Sequence, residues 1–349
     1  MSLANNNTKN NTKNNTIGVL LVNLGTPDAP TKKAVKIYLK EFLSDPRVIE
    51  IPKILWQIIL RGIILNTRPK KSAEKYKKVW TEKGSPLLAI SQEICTHVAA
   101  NLGAAYNVKL GMRYGYDTAG VPSIFAQLDA FQAENIEHVI VLPLYPQYCA
   151  ATTASVFDKI SAWMIRKRNI VGLTFIKEYY QHPLFIKACT VAINEDLAMH
   201  KQPQKLIFSY HGMPEVTFKK GDPYYTQCLK TTELIINSLD NKSADHYQNV
   251  FQSRFGAQAW LKPYAYQYLN ELPKQGVDDV AVFCPGFSAD CLETLEEMAL
   301  DNKSVFIQAG GKNYRYISAL NTSVAHIDLL ATLIKEYTPT LSSINTEIK

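Results

Sequence analysis

The sequence predicts an α/β fold of two domains, each built on a parallel β-sheet flanked by helices. Four short apolar runs end in Gly or Pro, which is typical of strands buried on both faces; they are residues 17–27, 138–148, 205–214 and 280–289. Helix-like stretches lie between these runs, at 86–102, 120–135, 183–199 and 222–239. Strands that alternate with helices in this way indicate parallel sheets. A chain of 349 residues is also too long for one hydrophobic core.

The ends of the four apolar runs are of two kinds, and each kind occurs once in each half of the chain. NLGTP at 23–27 has the same shape as YHGMP at 210–214, and LPLY at 142–145 parallels CPGF at 284–287. The repetition predicts twin α/β domains and a closing helix, with expected bounds 17–165, 170–320 and 323–337. Ligands of open α/β sheets bind outside the carboxyl ends of the strands, so we expect an active-site cleft between the domains.

The composition is that of an ordinary soluble globular protein, with 46% hydrophobic and 20% charged residues. The net charge of +7 is compatible with an acidic ligand or an anionic membrane surface. No long Lys/Arg block is present, so the sequence gives no indication of nucleic-acid binding.

The six cysteines and the amino terminus bear on the cellular compartment. No two cysteines form a CxxC pair, which excludes zinc-ribbon and thioredoxin motifs. Residues 1–16 are polar and of low complexity, and they lack the apolar stretch of a signal peptide, so we interpret them as a disordered tail. A cytoplasmic location with free thiols follows.

The segment 48–66 (VIEIPKILWQIILRGIILN) has more large apolar residues than one buried face needs. Pro52, Lys53 and Arg61 interrupt it too often for a membrane-spanning helix. Two interpretations remain at this point. One is a core helix, and the other is an apolar lip that contacts a hydrophobic ligand or a bilayer.

One histidine and three carboxylates are the candidate chemical groups. His211 follows an apolar run directly, so its imidazole is expected at the rim of the cleft. Glu293, Glu297 and Asp301 follow one another at intervals of four, which places them on one stripe of an α-helix. The stripe is also compatible with a solvated face, and Asp290 with Glu293 fits a capping-box variant. An imidazole facing a carboxylate could bind a divalent metal or pass protons.

Other common site motifs are missing. GxGxxG, the Walker pattern, Gly-x-Ser-x-Gly and HExxH do not occur. Aromatic residues are frequent near the strand ends, and several together would suit a large flat apolar ligand: Tyr38, Tyr114, Tyr145, Tyr148, Tyr210, Trp260, Phe287, Tyr314 and Tyr316.

Several longer motifs resemble the ferrochelatase family. They are NLGTP, FLSDPRVIEIP, EKGSPL and LPLYPQY in the first half, and SYHGMP, FQSRFGAQAWLKPY, CPGFSADCLETLEE and AGGKNYRYISALN in the second. They occur in family order from about residue 17 to 338. The resemblance implies the chelatase fold of two Rossmann-like domains, with parallel four-stranded sheets. It also implies an enzyme, a lyase that inserts ferrous iron into protoporphyrin IX to form protohaem, the final step of haem biosynthesis.

The resemblance assigns roles to individual residues. The family's invariant histidine falls on His211 and its glutamate on Glu293, as catalytic and metal-binding groups. Segment 48–66 falls on the active-site lip, which shifts its interpretation towards porphyrin and membrane contact. Leu24 stands where some relatives have Met or Tyr against the macrocycle, and it favours protoporphyrin. No cysteine follows Cys291, so the two-iron, two-sulfur cluster of animal-type members is not expected, and no permanent cofactor is.

The chemistry of metallation is consistent with these assignments. A neutral imidazole can accept the pyrrole protons, and Glu297 and Asp301 would extend a path for protons or iron. A rigid wall that grips the ring would bend it towards the transition state. The porphyrin-binding candidates, including three cations for the propionates, are Leu24, Ile54, Leu55, Arg68, Lys70, Arg113, Tyr145 and Trp260.

Three other classes of protein share some of these features. A non-catalytic porphyrin or haem carrier would keep the aromatics and the lip without needing the carboxylates. A chelatase for another metal and tetrapyrrole would share the architecture with different histidines. A periplasmic-type metal-binding protein would need a signal sequence.

Overall fold

The computed structural model describes residues 16–114, 121–240, 246–256 and 258–339. Its eight strands form two parallel sheets with the orders β2-β1-β3-β4 and β6-β5-β7-β8. The strands are β1 (Ile17–Gly25), β2 (Tyr106–Tyr114), β3 (His138–Pro143), β4 (Gly172–Phe175), β5 (Lys205–His211), β6 (Tyr247–Gln252), β7 (Asp279–Phe283) and β8 (Asn313–Ile317). The α/β class with two parallel four-stranded sheets is confirmed.

Helices cover both sheets. The α-helices are α1 (Lys32–Phe42), α2 (Lys53–Ile59), α3 (Leu65–Val79), α4 (Pro86–Leu102), α5 (Ile124–Ala133), α6 (Ser155–Met164), α7 (Pro183–Met199), α8 (Glu215–Lys219), α9 (Tyr224–Ser238), α10 (Ala265–Glu271), α11 (Lys303–Gln308) and α12 (Val324–Glu336). Three π-helical segments are Leu60–Ile64, Ala150–Ala154 and Glu293–Asn302, and Pro273–Gln275 is a 3₁₀ turn. Residues 1–15 of the predicted tail lie outside the described residues.

The strands that the apolar runs predict are the central ones. β1 and β3 lie inside the first sheet and β5 and β7 inside the second, where neighbouring strands and helices exclude water from both faces. β2, β4, β6 and β8 are the edge strands, and they had no sequence signal of this kind. Each edge strand contains half-exposed positions that interrupt the apolar run.

Three hydrophobic clusters fill the space between sheets and helices. One lies between the first sheet and α5 and α6, and another between the second sheet and α10, α11 and the π-helix at 293–302. The largest cluster joins the other faces of both sheets through α4, α7, α9 and α12. The carboxyl ends of β1 and β5 are thereby fixed within one packed unit. No helix in the described part of the chain is long and apolar enough to cross a bilayer.

A fully buried histidine in α12 gives a prediction on acid stability. His326 is 0% exposed, and its Nδ1 lies 2.6 Å from the carbonyl oxygen of Asn321. Burial lowers its pKa to about 4. Below pH 6.5 the unfolded chain therefore binds a proton here that the folded chain refuses, and stability is lost as the pH falls from about 6.5 to about 4.

His326→Gln keeps a hydrogen-bond donor and removes the titration. Between pH 7 and pH 4.5 we expect the wild type to lose about 2 to 3 kcal/mol more unfolding free energy than the variant. Urea denaturation at the two pH values measures both losses. Equal losses would show that His326 does not titrate on unfolding.

Candidate active site

His211 is the last residue of β5, and the chain turns sharply behind it. The Gly212 N–H donates to the Gln252 carbonyl over 2.7 Å, and a Cβ at position 212 would lie only 2.6 Å from that oxygen. Glycine is therefore required at this position. The Nδ1 of His211 lies 2.7 Å from the Gly212 carbonyl oxygen. Because a carbonyl only accepts, Nδ1 carries the proton and the lone pair is on Nε2.

The carboxylates lie on a helix that winds differently from the one predicted. Residues 293–302 form a π-helix, with hydrogen bonds from i to i+5. The α-helical winding expected from the spacing is therefore wrong, but residues four apart also stay close to one face of a π-helix, so the single stripe stays a prediction. Glu297 and Asp301 line one cavity, whereas Glu293 lines a separate small void.

Two residues at the end of β6 join the His211 strand to this helix. Gln252 pairs with His211 in the sheet, and its Nε2 donates to the Glu293 carbonyl over 2.7 Å. The N–H of Ser253 donates to the Glu297 carboxylate over 2.6 Å, and its hydroxyl bonds the same group. Neither residue was predicted from the sequence to have a role in the site. Their position at the end of an edge strand, within FQS, is the only sequence signal they offer.

The environment of Glu297 raises the pKa of its carboxyl above the usual value. Burial raises the pKa of this carboxyl, although the hydrogen bonds from Ser253 and the nearby imidazole of His211 oppose the rise. The negative charge of Glu293 adds to the rise. Glu297 can therefore hold a proton more readily than an exposed glutamate, which is the property that a proton relay needs.

The void beside Glu293 measures about 10 Å³ and is lined by Leu24, Tyr38, Tyr76 and Cys291, among others. Burial raises the pKa of both tyrosines, and the Glu293 charge adds to this effect, so the carboxylate lies near two phenols. Leu24 thus lines the same small void as Glu293.

The helix cap is made by residues other than Glu293. The Thr294 hydroxyl accepts from the Cys291 N–H over 2.9 Å and donates to Asp290 over 2.9 Å. Thr294 thus fills the role that a capping box would give to Glu293. The carboxylate of Glu293 is therefore not needed to cap the helix.

The cavity beside Glu297 and Asp301 has a volume of about 470 Å³. Ser253, Arg254 and Tyr264 also line it. The Arg254 guanidinium stacks on the Tyr264 ring at 4.6 Å. Two carboxylates of the helix therefore border a space large enough for a hydrated ion.

The segment 48–66 is an exposed helix with a buried anchor. No residue of α2 is buried, and Ile54 and Leu55 are 82% and 53% exposed. The core-helix interpretation is therefore wrong for α2. The anchor consists of Leu60 and Trp56, whose indole N–H donates to the Leu43 carbonyl over 2.6 Å. An apolar surface is thus held out from the body of the protein.

A line of contacts connects the helix after the lip to the end of β5. Arg68 of α3 stacks on the Phe255 ring at 5.3 Å, and Phe255 packs on Trp260 at 5.0 Å. Trp260 in turn lies against Gly212 and pairs with Pro214. Arg68 therefore lies near the His211 exit, although it comes from the other half of the chain. Lys70, two residues on, is exposed.

Arg113 occupies a different environment. Its guanidinium is buried, pairs with Asp45, and donates to the Ser155 hydroxyl over 2.6 Å. Tyr114 and Ser155 also donate to Asp45, over 2.8 and 2.6 Å. These contacts argue against Arg113 as a propionate ligand, because its charge is already matched by Asp45 inside the protein.

Tyr145 and Trp260 each bury a polar atom without a partner. The Tyr145 hydroxyl and the Trp260 Nε1 have no hydrogen bond to any described residue. In the described ranges no group of three or more His, Cys, Asp or Glu side chains is arranged to hold a metal. The candidate chemical groups are thus His211, Glu293 and Glu297, linked through Gln252 and Ser253.

Comparison with known proteins identifies the family. The ferrochelatase family profile matches residues 16–338. The chain is 51% identical to Ferrochelatase 2 of Shewanella oneidensis (92% of this chain, 97% of that one) and 48% identical to the ferrochelatase of Methylococcus capsulatus (92% and 96%). The solved structure of SirB from Bacillus subtilis with Fe³⁺ has a similar fold, with a TM-score of 0.55 at 12% identity over 92% of this chain and 95% of that one. The chain belongs to the ferrochelatase family.

Proposed function

We propose that the chain inserts ferrous iron into protoporphyrin IX to form protohaem, with His211 as proton acceptor and metal ligand and Glu293 as the partner carboxylate. Family membership supports the reaction as a whole. One structural observation supports these roles. Gln252 and Ser253 tie the end of the His211 strand directly to the helix that carries Glu293 and Glu297.

Metallation releases two protons, since Fe²⁺ replaces the two pyrrole N–H hydrogens and the net product is protohaem plus 2 H⁺. The lone pair on Nε2 of His211 can accept a pyrrole proton. Glu297, whose pKa is raised by burial, is the next acceptor towards the large cavity. Iron would travel the same cavity in the opposite direction, exchanging water for carboxylate oxygen.

The porphyrin would lie between Leu24 and the exposed lip. Tyr145 and Trp260 are aromatic side chains of which one polar atom each has no hydrogen-bond partner among the described residues, and Trp260, only 4% exposed, would support the wall of the site from behind. Arg68 and Lys70 are the cations for the propionates, because contacts through Phe255 and Trp260 place Arg68 near the His211 exit and Lys70 lies two residues further on. Ring distortion would follow from rigid walls on both sides.

Anaerobic mixing of the protein with ferrous iron and protoporphyrin tests the function. We expect the free-base absorbance to be replaced by that of protohaem over many turnovers. A carrier would bind porphyrin or haem stoichiometrically and give no turnover. A chelatase for another substrate would metallate a different tetrapyrrole or prefer a different metal, so cobalt, nickel and a second tetrapyrrole belong in the same assay.

The exposed lip makes Ile54→Asp a sharp test of porphyrin contact. Because Ile54 is 82% exposed, an aspartate there stays hydrated, and we expect the melting temperature to shift little. If the lip holds the macrocycle, the porphyrin KM should rise about tenfold or more, since an apolar contact becomes a desolvated charge. Leu55→Asp should act in the same direction. Steady-state kinetics beside thermal unfolding separates the two effects.

The control for this prediction is Ile165→Asp, an 86% exposed isoleucine behind α6. It should change neither KM nor melting temperature. A porphyrin KM equal to that of the control would remove the lip from the binding site.

The lip also gives a basis for peripheral membrane contact of a cytoplasmic enzyme. Exposed isoleucines at 54, 58 and 63 form an apolar surface next to Lys53 and Arg61. Such a surface inserts into the headgroup region of an anionic bilayer, and the basic side chains stay in the headgroups. The macrocycle of protoporphyrin is apolar apart from its propionates, so this arrangement would let it pass from the bilayer into the site.

A further inference from the structure

Two lysines of α3 bind the same two carboxylates of the π-helix. Lys75 Nζ lies 2.6 Å from Glu296 and 2.9 Å from Asp301, and Lys78 Nζ lies 2.9 Å and 3.3 Å from the same carboxylates. The Glu296 side chain is only 1% exposed, so a nearly buried charge is held by two ammonium groups. We refer to these four side chains as the lysine clamp.

The clamp depends on how the helix winds. Lys75 and Lys78 are three residues apart on an α-helix and share a face. Glu296 and Asp301 are five residues apart, and on an α-helix they would point about 140° away from each other. Hydrogen bonds from i to i+5 instead bring residues five apart to the same side. The π-helical winding is what lets both carboxylates reach both lysines.

The energetics favour the same conclusion. A π-helix is rare, so some interaction absent from the α-helical form must stabilise it here. A return to α winding would turn one carboxylate away from the lysines, and a buried glutamate that loses partners is costly. The hydrogen bond to Glu296 is the main cause that raises the pKa of Lys78. Burial would raise the pKa of Asp301, but its bonds to both lysines hold it below the usual value.

We infer that Lys75 and Lys78 are positioning residues for iron insertion, because they hold residues 293–302, which carry Glu293 and Glu297, in the π-helical winding. The inference rests on the proposed function. Both lysines would act through the helix. Because Lys75 also lines the large cavity, the winding of residues 293–302, and not the rate alone, decides between this role and a direct effect on iron. Asp301, predicted as the outer residue of a proton or iron path, is in this view mainly a support for the two inner carboxylates.

The first test is kinetic. We expect Lys75→Met together with Lys78→Met to lower kcat for metallation at least about tenfold while the porphyrin KM stays within about twofold. The Arg pair at the same positions should restore most of the rate, because it keeps the charges and the reach. Lys71→Met with Lys77→Met is the matched control, since both are exposed lysines of α3 that form no ion pair with another described residue. A rate equal to that of this control would overturn the inference.

The second test distinguishes three outcomes: the inference is wrong, the variant is misfolded, or the proposed function is wrong. Adding Glu296→Gln to the double Met variant removes the unpaired buried charge, so the triple variant should fold and still be slow. Its crystal structure should show i to i+4 hydrogen bonds between residues 293 and 302. Retention of the π winding would overturn the inference whatever the activity. If the wild type makes no protohaem, the proposed function fails, and the winding of the triple variant still decides on the clamp.

Discussion

Replacing His211 with alanine is expected to lower kcat for iron insertion by about 10²- to 10⁴-fold, the usual contribution of a general base. The ring nitrogen that carries the lone pair is lost, and no other described histidine lies at a strand end of the cleft. Porphyrin affinity should change little, because apolar walls hold the macrocycle. Single-turnover metallation and fluorescence quenching by bound porphyrin measure the two quantities separately.

His97→Ala is the control, since His97 is exposed on α4, away from the carboxyl ends of the strands. The space left in His211→Ala also allows a rescue experiment. Added imidazole should restore part of the rate in this variant and none in His97→Ala. Near-wild-type turnover by His211→Ala would remove the histidine from the mechanism and leave the carboxylates as the only bases.

Sequence patterns located the parts of the fold where burial is complete. The central strands and the long helices α4 and α7 carry continuous or periodic apolar residues, and both helices lie where they were predicted. The edge strands were not recognised, because one side of each meets solvent or a helix end and the residues are mixed. Their register depends on the neighbouring strand, which a local window of sequence does not contain.

The position of His211 at the end of β5 was predictable, because the apolar run before it marks the strand. The catalytic roles of His211 and Glu293 stay predictions. Arg113 was proposed for its charge alone, and its partner Asp45 is 68 residues away in sequence. Gln252 and Ser253 could not be assigned a role either, since their function is to join two elements. Contacts of this type become visible only when the two elements are seen together.

The winding of the helix at residues 293–302 also could not be predicted from the local sequence. Spacing by four residues predicts an α-helical stripe, and nothing local in ETLEEMALDN distinguishes i+4 from i+5 bonding. In our inference the groups that distinguish them are Lys75 and Lys78, more than 200 residues earlier in the chain, whose contacts with this helix no local window contains. A tertiary contact of this kind can override the local helical preference.

The contacts of Glu293 allow a substitution to distinguish a catalytic role of its carboxylate from a structural role in the helix. Its backbone carbonyl, not its carboxylate, receives the hydrogen bond from Gln252, and the helix cap is completed by Thr294. Its carboxylate faces the small void beside Tyr38 and Tyr76. A glutamine at this position keeps the shape and loses the charge and the basicity.

We therefore expect Glu293→Gln to lower kcat by about 10²-fold or more with an almost unchanged melting temperature. Glu297→Gln should cost less, because Ser253 can still donate to an amide oxygen, and Asp301→Asn should cost least, since Asp301 acts through Lys75 and Lys78. Glu233→Gln, an exposed glutamate of α9, is the control. A capping role predicts the opposite pattern for Glu293, with at most about 1 kcal/mol of stability lost and the rate unchanged. If all three substitutions leave kcat intact, the helix is scaffolding, and His211 must transfer its proton to a group elsewhere in the cleft.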